Sequence, residues 1–139
     1  MRKALLLKPH KNFNLKFYLR KLRDRKTEAF FKKFCSWYLV YSEEGKTLLD
    51  IFNDRIIEGF VWRIEEIDSV AEYIAKCIGE KTFGIFVEKK SSNLSSTEIK
   101  KILGAKIVEI CGSRVNLKNP DVRVNLYICG KEIFTHLSS

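Results

Sequence analysis

Residues 115–137, VNLKNPDVRVNLYICGKEIFTHL, restrict the possible folds more than any other stretch of the chain. Val122, Val124, Leu126 and Ile128 alternate with Arg123, Asn125, Tyr127 and Cys129, the period of two that a strand with one buried face requires. Gly130-Lys131 interrupts the run, and Ile133, Thr135 and Leu137 continue one face of a returning strand. A two-residue turn that opens on Gly suits a type II′ hairpin. Just upstream, Asn119-Pro120-Asp121 makes a corner. Pro120 fixes its own φ and disfavours helix at Asn119, and Asp121 can bond its own backbone.

The elements ahead of this hairpin are legible from periodicity. Residues 3–8, KALLLK, read as a short strand ended by Pro9-His10. From Asn14 to Phe34, Leu15, Tyr18, Leu19, Leu22, Ala29, Phe30 and Phe34 recur at helical spacing. That helix is either unbroken or interrupted around Arg25-Lys26-Thr27, with Thr27 as a second N-cap. Residues 35–42 are aromatic and β-branched and predict a strand, followed by a short helix in EEGKTLLDIFND and a long strand over 55–67 with Gly59 as a candidate bulge. Asp68 reads as the N-cap of SVAEYIAKCI, which Gly79 closes. TFGIFVEKK is a strand. The next helix has a full start signal, with Ser95 and Glu98 as a capping box and Leu94 and Ile99 as a staple. Ile99, Ile102, Leu103, Ile107 and Ile110 predict its buried stripe, and Gly112 its end. Strand, helix, strand, helix, hairpin is an α+β arrangement with helices on one face of the sheet.

Charge separates along the chain. Residues 1–34 hold 12 Lys/Arg against 2 Asp/Glu, a net +10, while residues 35–139 hold 14 against 15, a net −1. Within the latter, residues 43–80 come to −6 and residues 81–123 to +5. Two basic regions flank an acidic one, a field suited to a polyanion. The longest uncharged apolar run near the N-terminus, ALLL, is too short for a signal-peptide core or a membrane span. Cys35, Cys77, Cys111 and Cys129 are scattered without a C-x-x-C pair, and read as buried free thiols in a reducing cytosol.

The segment TFGIFVEKKSSNLSSTEIKKILGAKIVEICGSRVNLKNPDVRVNLYI resembles a THUMP domain, the RNA-binding module of tRNA thiolation, methylation, deamination and acetylation systems. The strand ending in Lys89-Lys90, the Ser-led helix with Ile-Leu-Gly and above all VNLKNPDVRVNL carry the likeness. The last is close to the family's V-D-L-x-N-P-D pattern, with Asn116 in place of the Asp. The resemblance covers residues 55 to 137. It implies a basic, ferredoxin-like region over residues 1–54, a THUMP RNA-binding domain over 55–139, and binding of a tRNA acceptor stem and its 3′-CCA end.

Each candidate contact has a plain structural alternative. Lys16, Arg20, Lys21, Arg23, Arg25 and Lys26 are either a solvated helix face or a phosphate-binding one; with only Asp24 and Glu28 nearby, the unmatched charge favours phosphate. Lys89, Lys90 and Asn93 precede a capped helix N-terminus, which offers free N–H groups to an anion. Lys100 lies off the buried stripe of that helix. Arg114, Lys118 and Arg123 surround the Asn-Pro-Asp corner, whose first duty is structural. Phe13, Phe17, Tyr18, Trp37, Tyr38, Tyr41, Phe60 and Trp62 are core residues in the main, with a base-stacking one among them as the alternative.

His10 and His136 stand in separate elements and assemble into no triad, and Glu65, Glu66 and Asp68 have no second acidic cluster at metal-site spacing. No P-loop or dinucleotide fingerprint is present. The expectation is a protein without catalytic centre, metal or cofactor. In 139 residues there is no room for the catalytic domain to which family members are usually fused. The resemblance therefore implies a cytoplasmic adaptor that presents tRNA to a separate modifying enzyme, foremost an RNA cytidine acetyltransferase making N4-acetylcytidine, with no membrane partner. The alternatives are the RNA-binding subunit of a split tRNA methyltransferase or thiolation enzyme, and a structural RNA-associated protein.

Overall fold

A computed structural model describes residues 1–139, the side chain of Asp54 excepted. The chain divides into two compact units, Arg2–Phe60 and Val61–Ser139, the latter taking in Met1.

The first unit runs β1 (Arg2–Leu7), α1 (Leu15–Asp24), β2 (Phe30–Phe34), β3 (Trp37–Tyr41), α2 (Gly45–Phe52) and the start of β4 (Ile56–Arg63). Its strand order β2-β3-β1-β4 with a helix in each crossover is the ferredoxin-like arrangement. Both helices close over one core. Tyr18 and Leu22 of α1 join Leu48, Ile51 and Phe52 of α2, and Leu5, Leu7, Val40 and Ile56 from the strands. The Tyr18 ring stacks on Phe13 and Phe52 at centroid distances of 5.2 and 4.7 Å.

The helix expected over residues 14–34 is a helix only to Asp24; Phe30–Phe34 is a strand, antiparallel to β3 in register Phe34↔Trp37. The cause lies in the turns. Lys26 at φ +54 and Cys35 at φ +58 reverse the chain on either side of Phe30–Phe34. Pairing with the aromatic strand β3 then outweighs a helical spacing that five residues cannot distinguish from alternation.

The second unit contains the end of β4, α3 (Ile67–Ile78), β5 (Phe83–Lys90), α4 (Ser96–Cys111), β6 (Val122–Cys129) and β7 (Glu132–Ser138), in strand order β4-β7-β6-β5. β5 and β6 are parallel, β6 and β7 antiparallel. The hairpin is as expected, with Gly130 at φ +60 and the cross-strand pairs Val124↔Leu137, Leu126↔Thr135 and Ile128↔Ile133 buried in the main. Thr135 is buried because Trp62 Nε1–H donates to its hydroxyl at 3.0 Å.

Two helix details differ from expectation. α3 begins at Ile67 with Glu66 as N-cap, ahead of Asp68, which pairs instead with Lys106 on α4. The Glu66 carboxylate accepts the Arg63 N–H at 2.9 Å and so closes the preceding turn, which also holds its carboxyl below the usual range. On α4 only Ile99, Leu103, Gly104 and Ile107 are buried, while Ile102 and Ile110 are about half exposed. One packed partner face, supplied by α3 and β5, covers only part of a helix's circumference. The Ser95 cap holds: its hydroxyl accepts the Glu98 N–H at 3.3 Å, and Gly112 at φ +71 ends the helix.

Cys77 and Cys111 are free thiols, with Cys77 exposed rather than buried as expected.

The corner before β6 is built by side chains. Asn116 Oδ1 accepts from the N–H groups of Lys118 and Asn119 at 3.2 and 3.1 Å. Asp121 reaches Thr82 rather than its own backbone: Oδ2 accepts the Thr82 N–H at 3.0 Å, and Thr82 Oγ1 accepts the Asp121 N–H at 3.0 Å. Residue 84 is crowded by the same corner, which favours Gly there. A Cβ there would lie 3.0 Å from Asn116 O and 3.2 Å from Phe86 Cε2.

Gly84→Ala is expected to lower stability by about 1–2 kcal/mol, whereas Gly45→Ala, with nothing within 4 Å of the new methyl, leaves it equal or raises it by less than about 1 kcal/mol. Denaturant midpoints of the two variants provide the comparison. Asn116→Ala removes the acceptor of both hydrogen bonds and costs about 1 kcal/mol, while Asn116→Asp keeps it and melts close to the parent; thermal unfolding distinguishes the two.

Candidate nucleic-acid interface

α1 presents the first set of cations. Tyr18 and Leu22 face the core, which leaves Lys16, Arg20 and Arg23 at helical spacing on the solvent side with Lys21 beside them, all exposed. Lys21 and Arg23 lie in the last turn, where the helix dipole favours positive charge. Lys21 Nζ sits 4.6 Å from the centroid of the exposed Phe17 ring. Among the described residues none of these four side chains is in an ion pair. Lys26 is exposed in the turn beyond, as is Arg25.

The second unit places its cations in more than one direction. Lys89 and Lys90 end β5, and the loop after them is strapped down. Ser92 Oγ donates to Gly130 O at 2.9 Å, Leu94 N–H donates back to Ser92 Oγ at 3.2 Å, and Lys89 Nζ donates to Leu94 O at 2.7 Å. Asn93 is exposed at the tip, one residue from the Leu94 that Lys89 holds. Lys89 therefore has a structural task that the sequence did not reveal, and Lys90 is also engaged. Lys100 stands exposed on the first turns of α4.

Side-chain parity separates the rest. Ile85 faces α4, where its Cδ1 is the nearest atom to Gly104, so Val87 and Lys89 share that side of β5. Phe86 and Lys90 take the other side, and with them Arg123, whose guanidinium stacks 3.8 Å above the Phe86 ring. Arg123 pairs across the ladder with Gly84, whose missing side chain lets the Phe86 ring lie where the arginine can cover it. On that face Asn125 Nδ2 donates to His136 O and to Ser138 Oγ, at 3.2 Å each. Arg114 and Lys118 are exposed on the segment that borders the outer edge of β5. Thus Lys89 and Lys100 lie on the helix side, Lys90 and Arg123 on the opposite side, and Arg114 and Lys118 at the margin.

Phe86 is the contributor that sequence reasoning overlooked. Its signal was present in the strand alternation, but its pairing with Arg123 depends on a parallel register that spacing alone does not supply. His10 Nδ1 accepts the Asn12 N–H at 3.2 Å, a turn contact. Among the described residues no group of three or more His, Cys, Asp or Glu could hold a metal ion, and no helix is long and apolar enough to cross a membrane.

Three solved structures are similar over nearly the whole chain. PH1313 from Pyrococcus horikoshii Ot3 aligns at a TM-score of 0.73 and 15% identity, over 98% of this chain and 54% of its own. A 4-thiouridine synthetase–RNA complex with bound ATP aligns at 0.71 and 16%, over 99% and 41%. TrmN from Thermus thermophilus aligns at 0.67 and 15%, over 98% and 45%. At these identities the likeness is one of fold, and the chain spans about half the length of the structures it matches. No curated protein matches it by sequence. The family model of the THUMP domain matches residues 63–134, just over half of the chain and the whole run from the end of β4 into β7, and the chain belongs to the THUMP domain family.

Proposed function

We propose that this chain binds tRNA, holding the acceptor stem and 3′-CCA end, and presents it to a separate tRNA-modifying enzyme without contributing a catalytic centre of its own. The observation that carries the reading is the set of exposed, unpaired cations on α1 in a chain with a THUMP domain. Cations that serve solubility alone are usually interspersed with acids, whereas Lys16, Arg20, Lys21 and Arg23 have only Asp24 on their helix. Phosphate contacts by Lys and Arg release counterions, so such a face binds a polyanion. In the second unit Lys89, Lys90 and Asn93 at the capped start of α4, with Lys100, Arg114, Lys118 and Arg123, supply further contacts. The Arg123–Phe86 stack is a surface on which a base or ribose can rest.

The enzyme partner foremost in this reading is a cytidine N4-acetyltransferase, with which the adaptor type that the sequence resembles acts; the compartment is the cytoplasm. A second reading, the RNA-binding part of a thiolation or methylation enzyme assembled from subunits, is favoured by one observation, the similarity in fold to a 4-thiouridine synthetase bound to RNA. Co-purification from the native source distinguishes them: a stoichiometric catalytic subunit that is inactive alone supports the second.

Binding assays test the first. Whole tRNA is expected to bind with an affinity that falls steeply between low and physiological salt, and a tRNA lacking its CCA end to bind markedly less well; equal affinities for the two defeat the acceptor-end claim. Lys89→Glu together with Lys90→Glu is expected to weaken tRNA binding about tenfold or more while the fold persists. An unchanged dissociation constant at an unchanged melting temperature removes both residues from the interface.

A further inference from the structure

The outer edge of β5 is covered only at its beginning. Phe83 N–H donates to Arg114 O at 3.1 Å, and Asn116 N–H donates to Phe83 O at 2.8 Å. Phe83 therefore turns its backbone polar groups away from β6, and by the alternation of a strand Ile85 and Val87 do the same. β5 ends the strand order of its unit, and among the described residues the one bridge on its outer side is Phe83↔Val115. Charged residues that blunt an open edge appear only at its far end, in Glu88-Lys89-Lys90.

Beside this edge lies a groove of about 720 Å³ between α4 and residues 115–117. Ile85 forms its floor, Ala105 and Val108 one wall, Val115 and Leu117 the other. Val108, Val115 and Leu117 are 39%, 53% and 62% exposed, which is unusual for aliphatic side chains grouped together. Gly104 lies over this floor, where a Cβ would meet Ile85 Cδ1 at an ordinary contact distance of 3.7 Å.

Two features select the occupant. The lining contains no aromatic ring, so it offers nothing for a nucleobase to stack on. An unpaired strand edge next to an apolar groove instead accepts an extended peptide as an added strand, alternate side chains entering the groove. The rim has Lys100 and Lys101 towards the start of α4 against Glu109 towards its end, so carboxylates on the incoming segment are favoured.

We propose that the β5 edge and this groove dock an extended segment of a partner protein, apolar at alternate positions and flanked by carboxylates. The inference stands apart from the RNA reading, and its test avoids Lys100, which borders both surfaces. The probe is a short fluorescent peptide alternating valine with threonine between pairs of glutamates, compared by anisotropy with a lysine-flanked counterpart and with single-stranded oligouridine. The glutamate-flanked peptide is expected to bind the intact chain, and Val108→Asp with Leu117→Asp to weaken it at least about tenfold. Val87→Pro, which removes an outward N–H and leaves the β6 ladder intact, is expected to do the same. Unchanged melting temperature and tRNA affinity in the aspartate pair show that the fold and the RNA surface persist; should the proline variant unfold, the aspartate pair alone decides. Absence of peptide binding, equal binding of the lysine-flanked peptide, or displacement of the peptide by oligouridine overturns the proposal. So does a concentration-dependent dimer in sedimentation that the aspartate pair abolishes.

Discussion

The parallel pairing of Phe83–Lys90 with Val122–Cys129 governs the geometry of the C-terminal unit. Parallel neighbours cannot be joined by a tight turn, so the intervening residues must cross over the sheet, and they do so as α4. The capped start of that helix, the strap from Ser92 to Gly130 and the corner from Asn116 to Asp121 are all consequences of making the crossover and entering β6 in register. Gly84 is the tightest point. Asn116 O and the Phe86 ring both approach it closely enough that a side chain there would push them back by a few tenths of an ångström, so the corner, the strand and the aromatic stack meet at the same small residue.

This geometry also explains why the cations of the second unit do not form one patch. Alternation along β5 sends Lys89 towards α4 and Phe86 and Lys90 to the other side, and the register with β6 brings Arg123 over Phe86. The basic residues of α1 obey a simpler rule. A helix with Tyr18 and Leu22 buried has no choice but to expose Lys16, Arg20 and Arg23. The polar outer face of the final hairpin is likewise not idle surface, because Asn125 ties β6 to β7 by bonds to His136 O and Ser138 Oγ.

Local chemistry was a reliable guide wherever one residue's conformational demand decided the outcome. Ser95, Gly112, Gly130 and Pro120 mark element ends because their preferences act within a few residues, and the structure keeps the ends that Ser95, Gly112 and Gly130 mark. It was a poor guide at Phe30–Phe34, where the same five residues satisfy a helical and a strand pattern and pairing with Trp37–Tyr41 decides. Asp68 has the chemistry of a cap, yet Glu66 takes the position because the 3-10 turn at Ile64–Glu66 starts the helix two residues early. On α4, Ile102 and Ile110 fit the apolar period but extend past the arc that α3 and β5 cover.

By itself the sequence determined the α+β class, the hairpin with its Gly-Lys turn, the THUMP likeness of residues 115–126 and the concentration of positive charge in the first 34 residues. These follow from side-chain period, backbone preference and composition, which are properties of neighbours along the chain. Only the tertiary structure decided which cations share a face, that Lys89 closes a loop, that Phe86 underlies Arg123, and that an aliphatic groove lies beside the open edge of β5. Those depend on strand register and on the arc of each helix that its partners cover, and both are settled by contacts between residues far apart in sequence.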